Sequence, residues 1–277
     1  MKHPLITPTI VLSALGLLLP SVAQAAAIEY GTDGGVYLQN FDSLGSTTAA
    51  WTNGSTLTGW HWMTSAGGTS ANSNPQDGDA AGGLLLSLGT DNASDRALGA
   101  QNSNNIETLF YGAQILNTTG TTLGSFSLAY TGEQWRAIGS EGRDKLTFQY
   151  QVFDTGVTDP MLASTGWNNV TDLDFNAPKF NLGSSTKLNG NLSENSASIS
   201  ATVAGLTWGD GQELWLRWSD NNPVNNNAAG GSLRSQMGID DVSFSATAIP
   251  EPSSYAALFG ALSLGFASCR RRRTGGA

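Results

Sequence analysis

Cysteine and histidine are nearly absent from this sequence, and their scarcity restricts the chemistry it can perform. Cys269 is the single cysteine among 277 residues, so no disulfide can form within the chain. The two histidines are His3 and His61, and a Ser-His-Asp triad would have to use His61. The sequence also contains no Gly-x-Ser-x-Gly, His-Glu-x-x-His or EF-hand pattern. These absences argue against nucleophilic hydrolysis, zinc chemistry and helix-loop calcium sites.

Charged residues are also scarce, at 13% of the chain, and the net charge is −9. Setting aside Lys2, Glu251 and the arginines Arg270 to Arg273 near the two ends leaves eight basic and 21 acidic residues. Such a field repels a phosphate backbone, so we expect no nucleic acid among the partners. Eight Trp and ten Phe nevertheless supply enough apolar surface for a hydrophobic core.

The first 25 residues have the pattern of a secretory signal peptide. Lys2 supplies a positive start, residues 10–19 form a short apolar run, and Pro20 ends it. Ala23 and Ala25 then form the small-x-small site that signal peptidase requires. The pattern predicts export across the inner membrane and cleavage after Ala25.

The other end has three consecutive parts. The linker 248–254 contains Pro250, Glu251 and Pro252, and the apolar segment 255–269 follows it. Residues 270–277 form a basic tail that begins with Arg270, Arg271, Arg272 and Arg273. A cationic cluster is held on the cytoplasmic side, so the preceding domain should face away from the cytoplasm. About 15 apolar residues is short for a bilayer, which suits a transient inner-membrane anchor.

This C-terminal arrangement resembles the PEP-CTERM sorting signal of Gram-negative bacteria that make exopolysaccharide. The resemblance covers the last 30 residues or so, and it implies that the membrane transpeptidase exosortase recognises Pro250, Glu251 and Pro252 and removes the tail. It implies a destination at the cell surface or in the extracellular matrix, and it implies no activity.

Between the two ends, residues 26–247 are predicted to form an all-β domain. Apolar residues alternate with polar ones around Leu128, Phe148, Ile199 and Leu216, as in strands with one buried face. Roughly ten such strands, separated by Gly- and Asn-rich loops, predict an antiparallel β-sandwich of the jelly-roll type. The closing segment Gly238–Val242 resembles the last strand of galactose-binding-like and concanavalin-like jelly rolls.

Carboxylates are the only residues from which a catalytic site could be built. A glycosidase needs two of them, and Glu133, Glu141 and Asp144 form the one tight cluster beside aromatic residues. Arg136 and Arg143 are close enough in sequence to pair with them. Structural ion pairs are therefore the simpler interpretation, and a carbohydrate-active hydrolase is the alternative.

A structural Ca²⁺ ion is the one cofactor that the sequence suggests. Asp42 near the first strand and Asp240 and Asp241 in the last could converge, because the first and last strands of jelly rolls often lie close together. Strict alternation would send Asp240 and Asp241 to opposite faces. Asp77 and Asp79 are a second candidate for a calcium site, with a solvated turn as the simpler interpretation.

Tryptophan side chains are the candidates for glycan binding, because exposed rings can stack on sugars. Trp60 and Trp62 share one face of a strand, Trp135 lies near a loop, and Trp215 faces away from its apolar neighbours. Core packing is the competing role for each. The sequence therefore predicts a surface or matrix protein, structural or adhesive, that associates with exopolysaccharide; a domain that only serves as a spacer is a further alternative.

Overall fold

The computed structural model describes most of the central part of the chain. The residues it describes are 26–68, 72–79, 84–102, 108–139, 142–157, 160–162, 165–221 and 234–249. The predicted signal peptide, the apolar segment 255–269 and the arginine cluster lie outside the described residues, as does Glu141. No helix in the described residues is long and apolar enough to cross a membrane.

The described residues form short and long strands joined by turns. In chain order the strands are β1 (Ile28–Tyr30), β2 (Val36–Gln39), β3 (Ala49–Ala50), β4 (Trp60–Thr64), β5 (Asn72–Gln76), β6 (Leu84–Leu88), β7 (Ala97–Gln101), β8 (Thr108–Asn117), β9 (Leu123–Ala137), β10 (Lys145–Phe153), β11 (Asn168–Asn169), β12 (Phe175–Asn176), β13 (Thr186–Lys187), β14 (Ser196–Trp208), β15 (Glu213–Asn221) and β16 (Gln236–Ala248). Single 3₁₀ turns cover Asp42–Leu44, Pro160–Leu162 and Thr171–Leu173.

These strands form two sheets. The first sheet has the order β1-β8-β15-β10-β11, with β4 also paired to β8 and β12 to β10. The second has the order β13-β9-β16-β7-β6-β5-β3, with β14 paired to β9 and β2 to β16. Pairing is antiparallel except between β1 and β8 and between β5 and β6. The long strands β8, β9 and β10 alternate between the sheets, as do β14, β15 and β16.

The two sheets pack face to face around an aromatic core centred on Trp218 of β15. Its indole ring stacks on Trp60 at a centroid distance of 6.2 Å and on Tyr111 at 6.3 Å. Phe148 meets the same ring edge-on at 5.1 Å, and Tyr130 of the second sheet does so at 5.4 Å. Because inward-facing positions are large and apolar in both sheets, the sandwich can close without disulfides.

A β-bulge in β16 explains why the last strand departs from simple alternation. Asp240 pairs with Thr131 of β9 and Ser243 pairs with Ala129, so two residues of β16 oppose one residue of β9. Asp241 takes the extra place with φ = 48°, a conformation that aspartate tolerates better than most residues. The bulge restores the phase of the strand, because Ile239 and Val242 can then both point into the core.

The predicted antiparallel β-sandwich is confirmed for the described residues. Ala248, placed in the linker by the sequence, is the last residue of β16. Two further details come from the structure. The polar segment Asn72–Gln76 forms the strand β5, and Asp220 is a buried residue of β15.

Candidate functional site

The four tryptophans predicted to bind glycans are all buried. Trp60, Trp62, Trp135 and Trp215 are 0%, 1%, 1% and 2% exposed. Trp60 and Trp62 belong to the core between the sheets, and Trp135 packs with a smaller apolar cluster that includes Leu88. Trp60, Trp62 and Trp135 therefore take the competing role of core packing, and Trp215 is buried beside His61 and Glu213.

The predicted calcium site is also wrong. No group of three or more His, Cys, Asp or Glu side chains in the described part of the chain is arranged to hold a metal ion. Asp42 instead stabilises a turn, since its carboxylate accepts hydrogen bonds from Arg96 N at 3.2 Å and Asn40 Nδ2 at 2.8 Å. Asp240 is buried and Asp241 is exposed beside it at the bulge.

The second calcium candidate is a salt-bridged turn at the edge of the second sheet. Lys187 forms ion pairs with Asp77 and with Asp79, the latter at 3.7 Å. The turn borders an open polar cleft of about 260 Å³ that also contains Arg96. Because the cleft lacks aromatic rings, we do not assign the glycan site there.

The carboxylates considered for hydrolysis separate into two groups. Glu133 lies on the outer face of the second sheet, diagonal to Asp240 across β9 and β16. Burial raises the pKa of Glu133 to about 7, against a hydrogen bond from Trp135 Nε1 at 2.8 Å that lowers it. Burial likewise raises the pKa of Asp240 to about 8, with a contribution from the Glu133 charge. Asp144 instead interacts with Asp220 in another part of the sandwich.

This arrangement gives the hydrolase alternative little support. Glu133 and Asp240 are both at most 5% exposed, which leaves no access for a glycosidic oxygen between them. Among the described residues, neither Arg136 nor Arg143 forms an ion pair with Glu133 or Asp144. Arg136 donates to the carbonyl oxygens of Gly78 and Asp79, and Arg143 lies against Phe180.

The outer face of the first sheet offers a different kind of site. Arg217 of β15 lies between Phe110 and Trp167, with its guanidinium carbon 4.6 Å and 3.9 Å from the two ring centroids. Its Nε donates to Gln149 Oε1 at 2.7 Å. Gln151 lies on the same face one step further along β10. We call these five residues, Phe110, Gln149, Gln151, Trp167 and Arg217, the Arg217 face.

The strand register explains why these side chains meet. Arg217 lies directly opposite Gly112 of β8 and Gln149 of β10. Gly112 has no side chain, and β8 and β15 approach so closely there that a Cβ atom would lie 1.8 Å from the main-chain oxygen of Leu216. Burial lowers the pKa of Arg217 to about 10, so its guanidinium is still protonated at neutral pH. The guanidinium is therefore a buried cation, 5% exposed, between two aromatic rings, and the half-buried rings and amides are the parts of the face that reach its surface.

A second row of polar side chains lies next to the Arg217 face, on the same outer side of the first sheet. His61 Nε2 lies 3.1 Å from Gln114 Oε1, and the His61 ring contacts Trp215 at a centroid distance of 4.7 Å. Trp215 Nε1 donates to Glu213 Oε2 at 3.0 Å. His61 is thus a packed residue of β4.

The Arg217 face combines the features expected of a sugar-binding surface. Phe110, Gln149, Gln151 and Trp167 are half-buried, so each retains surface that a ligand can reach. Aromatic rings can pack on the apolar face of a sugar and amides can bond its hydroxyl groups, while the buried Arg217 guanidinium holds the rings and Gln149 in place. Nothing in the sequence indicated that Phe110, Trp167 and Arg217 would lie together.

Comparison with known proteins identifies no family. No family model and no curated protein sequence matches the chain. Among solved structures it is similar to the CBM22-2 xylan-binding domain of Paenibacillus barcinonensis Xyn10C, at 11% identity and a TM-score of 0.38, over 76% of this chain and 99% of that one. It is also similar to TmCBM61 in complex with β-1,4-galactotriose, at 10% identity and a TM-score of 0.25, over 54% and 70% of the two chains.

A third similar structure is an enzyme domain. The enzymatically active domain of tailspike protein 4 from bacteriophage CBA120 is 7% identical, with a TM-score of 0.31, over 76% of this chain and 19% of that one. The similar structures thus include carbohydrate-binding modules and a catalytic domain. Similarity at this level carries no argument about what the present chain binds or catalyses.

Proposed function

We propose that this chain is an exported protein of the cell surface or extracellular matrix, whose sandwich associates with exopolysaccharide without cleaving it. The observation that carries the proposal is the Arg217 face, where Phe110, Trp167 and Arg217 stand beside the amides of Gln149 and Gln151. The acidic composition of the chain fits a neutral or cation-bridged glycan better than a polyanion.

The chemistry of the face suits association better than hydrolysis. Each of its polar groups can donate or accept a hydrogen bond, but none is a carboxylate that could act as a general acid or as a nucleophile. The Arg217 guanidinium is held by Gln149 and by the main-chain carbonyl oxygen of Met161, so it is positioned before any ligand arrives. A preorganised surface of this kind loses little side-chain entropy on binding.

The test is retention of the full chain, purified in mild detergent, on the exopolysaccharide of the producing strain. We expect saturable retention of the wild type and a clear loss for Trp167→Ala, which removes the exposed ring of the face. Phe180→Ala is the matched control, because Phe180 also stacks against an arginine, Arg143, but belongs to a different part of the surface. Equal retention of both variants and the wild type would count against the proposal.

The same samples separate association from catalysis. Release of reducing sugar from the bound polysaccharide would favour the hydrolase alternative, whereas retention without release is the result we expect. Absence of both would leave the sandwich as a spacer.

Sorting is a separate part of the proposal and needs its own test. We propose that exosortase recognises Pro250, Glu251 and Pro252 and that the chain passes through a transient inner-membrane anchor, after signal peptidase has acted at Ala25. Deleting residues 250–277 should leave the protein in a different compartment from the wild type. If the deleted form is found with the wild type at the surface or in the matrix, the sorting proposal is wrong, whatever the polysaccharide assay shows.

A further inference from the structure

A buried group of polar side chains lies at one end of the sandwich, away from the Arg217 face. Asp220 is the last inward-facing residue of β15 and pairs with Leu146 of β10. Asp144 comes two residues before Leu146, so the two aspartates are diagonal neighbours on the inner face of the first sheet. Both are almost fully excluded from solvent, at 3% and 0% exposed for Asp144 and Asp220.

The two carboxylates differ sharply in their hydrogen bonds. Asp144 accepts one from its neighbour Lys145 N at 2.8 Å and one from Ser235 N at 2.9 Å. Neither carboxylate oxygen of Asp220 has a partner within hydrogen-bonding distance, although the side-chain amide and main-chain N–H of Asn102 lie close enough to lower its pKa. An ionised carboxylate without a partner is strongly unfavourable in the interior of a protein. Burial accordingly raises the pKa of Asp220, and the Asp144 charge raises it further.

Other unpaired oxygen atoms surround the same carboxylate. Asn102 donates its Nδ2 to the main-chain carbonyl oxygen of Asp220 at 2.7 Å, which places its amide group there, yet its Oδ1 has no partner. Tyr111 lies opposite Trp218 of β15, diagonal to Asp220, and its buried hydroxyl has no partner either. Buried polar atoms without partners are uncommon in proteins. Here Asp220, Asn102 and Tyr111 contribute four of them at the same end of the sandwich.

Among the residues that the structure describes, no salt bridge neutralises this group. The ion pairs found within the described residues involve Asp174, Asp77 and Asp79, and none includes Asp144 or Asp220. Two carboxylates that take part in none of these ion pairs, together with nearby unpaired oxygen atoms, provide the negative charge and the oxygen ligands that a divalent metal ion requires. Their combined charge would match an ion of charge +2.

We propose that Asp144, Asp220, Asn102 and Tyr111 bind a single Ca²⁺ ion at the end of the sandwich. All the available donor atoms are oxygens, in a mixture of carboxylate, amide and hydroxyl groups that suits calcium and offers no nitrogen or sulfur for zinc. Asp220 supplies both carboxylate oxygens, Asn102 supplies Oδ1 and Tyr111 supplies its hydroxyl. Asp144 has lone pairs left on each oxygen after accepting its main-chain hydrogen bonds.

The ion would connect the two sheets. Asn102 directly follows β7 of the second sheet, whereas Tyr111, Asp144 and Asp220 belong to β8, the start of β10 and β15 in the first. Binding would therefore stabilise the folded chain by adding a link between strands that the hydrogen bonds from Asn102 to Asp220 and from Ser235 to Asp144 already join.

The experiment measures calcium binding and thermal stability of the full chain, freed of metal with a chelator and then titrated with CaCl₂. We expect one ion to bind per chain in isothermal titration calorimetry and the melting temperature to rise with calcium. Asp220→Asn should abolish both responses. Without calcium, this variant should melt no lower than the metal-free wild type, since it removes an unpaired buried charge.

Two further variants keep the test decisive. Tyr111→Phe removes only the unpaired hydroxyl, so it should fold normally and bind calcium more weakly than the wild type. Asp240→Asn is the matched control, because Asp240 is also buried but lies on the outer face of the second sheet, and it should respond to calcium as the wild type does. Failure of the wild type to bind calcium would overturn the proposal, and so would unchanged binding in both Asp220→Asn and Tyr111→Phe. Calcium binding that is lost only in Asp240→Asn would overturn it as well.

Discussion

Glu133 should make the folded chain less stable as the pH rises, and replacing it with glutamine should remove that loss. Its side chain is 4% exposed on the outer face of the second sheet and receives a hydrogen bond from Trp135 Nε1. Burial raises its pKa from 4.5 to about 7, so the folded state holds the proton more tightly than the unfolded chain does. The contribution of Glu133 to the free energy of unfolding is then highest below about pH 4.5 and falls as the pH rises toward 7.

The size of the effect follows from the shift in pKa. A rise from 4.5 to about 7 corresponds to a loss of at most about 3 kcal/mol in the free energy of unfolding between pH 4 and pH 8. Glu133→Gln cannot ionise, and its side-chain oxygen can still accept the hydrogen bond from Trp135. The variant should therefore equal the wild type at pH 4 and exceed it by up to this amount at pH 8.

Urea denaturation followed by tryptophan fluorescence at four or five pH values between 4 and 8 measures the difference. Glu29→Gln is the control, because Glu29 is exposed in β1 and its replacement should leave the pH dependence unchanged. Parallel curves for the wild type and Glu133→Gln would refute the reasoning, since Glu133 would then ionise in the folded state at no cost. Loss of polysaccharide cleavage in Glu133→Gln would instead assign this residue to a hydrolase.

Two further predictions concern the framework that holds the site. Trp218→Ala removes the ring on which Trp60, Tyr111 and the second sheet pack, and should lower the free energy of unfolding by about 3–5 kcal/mol in urea denaturation; a loss below 1 kcal/mol would contradict the central place of this ring. Gly112→Ala would put a methyl group 1.8 Å from the main-chain oxygen of Leu216, so β8 and β15 must shift apart. We expect a loss of at least about 2 kcal/mol and weaker polysaccharide retention, and a variant as stable as the wild type would show that the register beside Arg217 is not as described.

Periodicity predicted the long strands because each of them has one apolar face. Leu128, Phe148 and Leu216 all lie in the strands expected from alternation. The short strand β7 gave no such signal, since Leu98 is its only large apolar residue and all of Ala97–Gln101 are buried, on both sides of the strand. The bulge at Asp241 could have been inferred, because two polar residues between Ile239 and Val242 shift the phase of the apolar positions.

The candidate sites were harder to predict because they depend on long-range pairing. A tryptophan in a strand can face either sheet, core or solvent, and burial of Trp60 and Trp135 was decided by neighbours distant in sequence. Arg217, Phe110 and Trp167 come from separate segments that only the strand register and a loop bring together. Alternation within β15 does place Arg217 on the face opposite to Trp218, which was the one local signal of an outward-facing polar row.

Hydroxyl-radical footprinting of the full chain, with and without bound exopolysaccharide, tests the central claim most directly. Trp167 should lose reactivity when the polysaccharide binds, because a sugar ring on the Arg217 face would cover its indole. Phe180, which is 41% exposed elsewhere on the surface, should react equally in both states and serves as the internal control. Protection of Trp167 alone is the result we predict, and unchanged reactivity of Trp167 on polysaccharide-bound protein would contradict the assignment of this face.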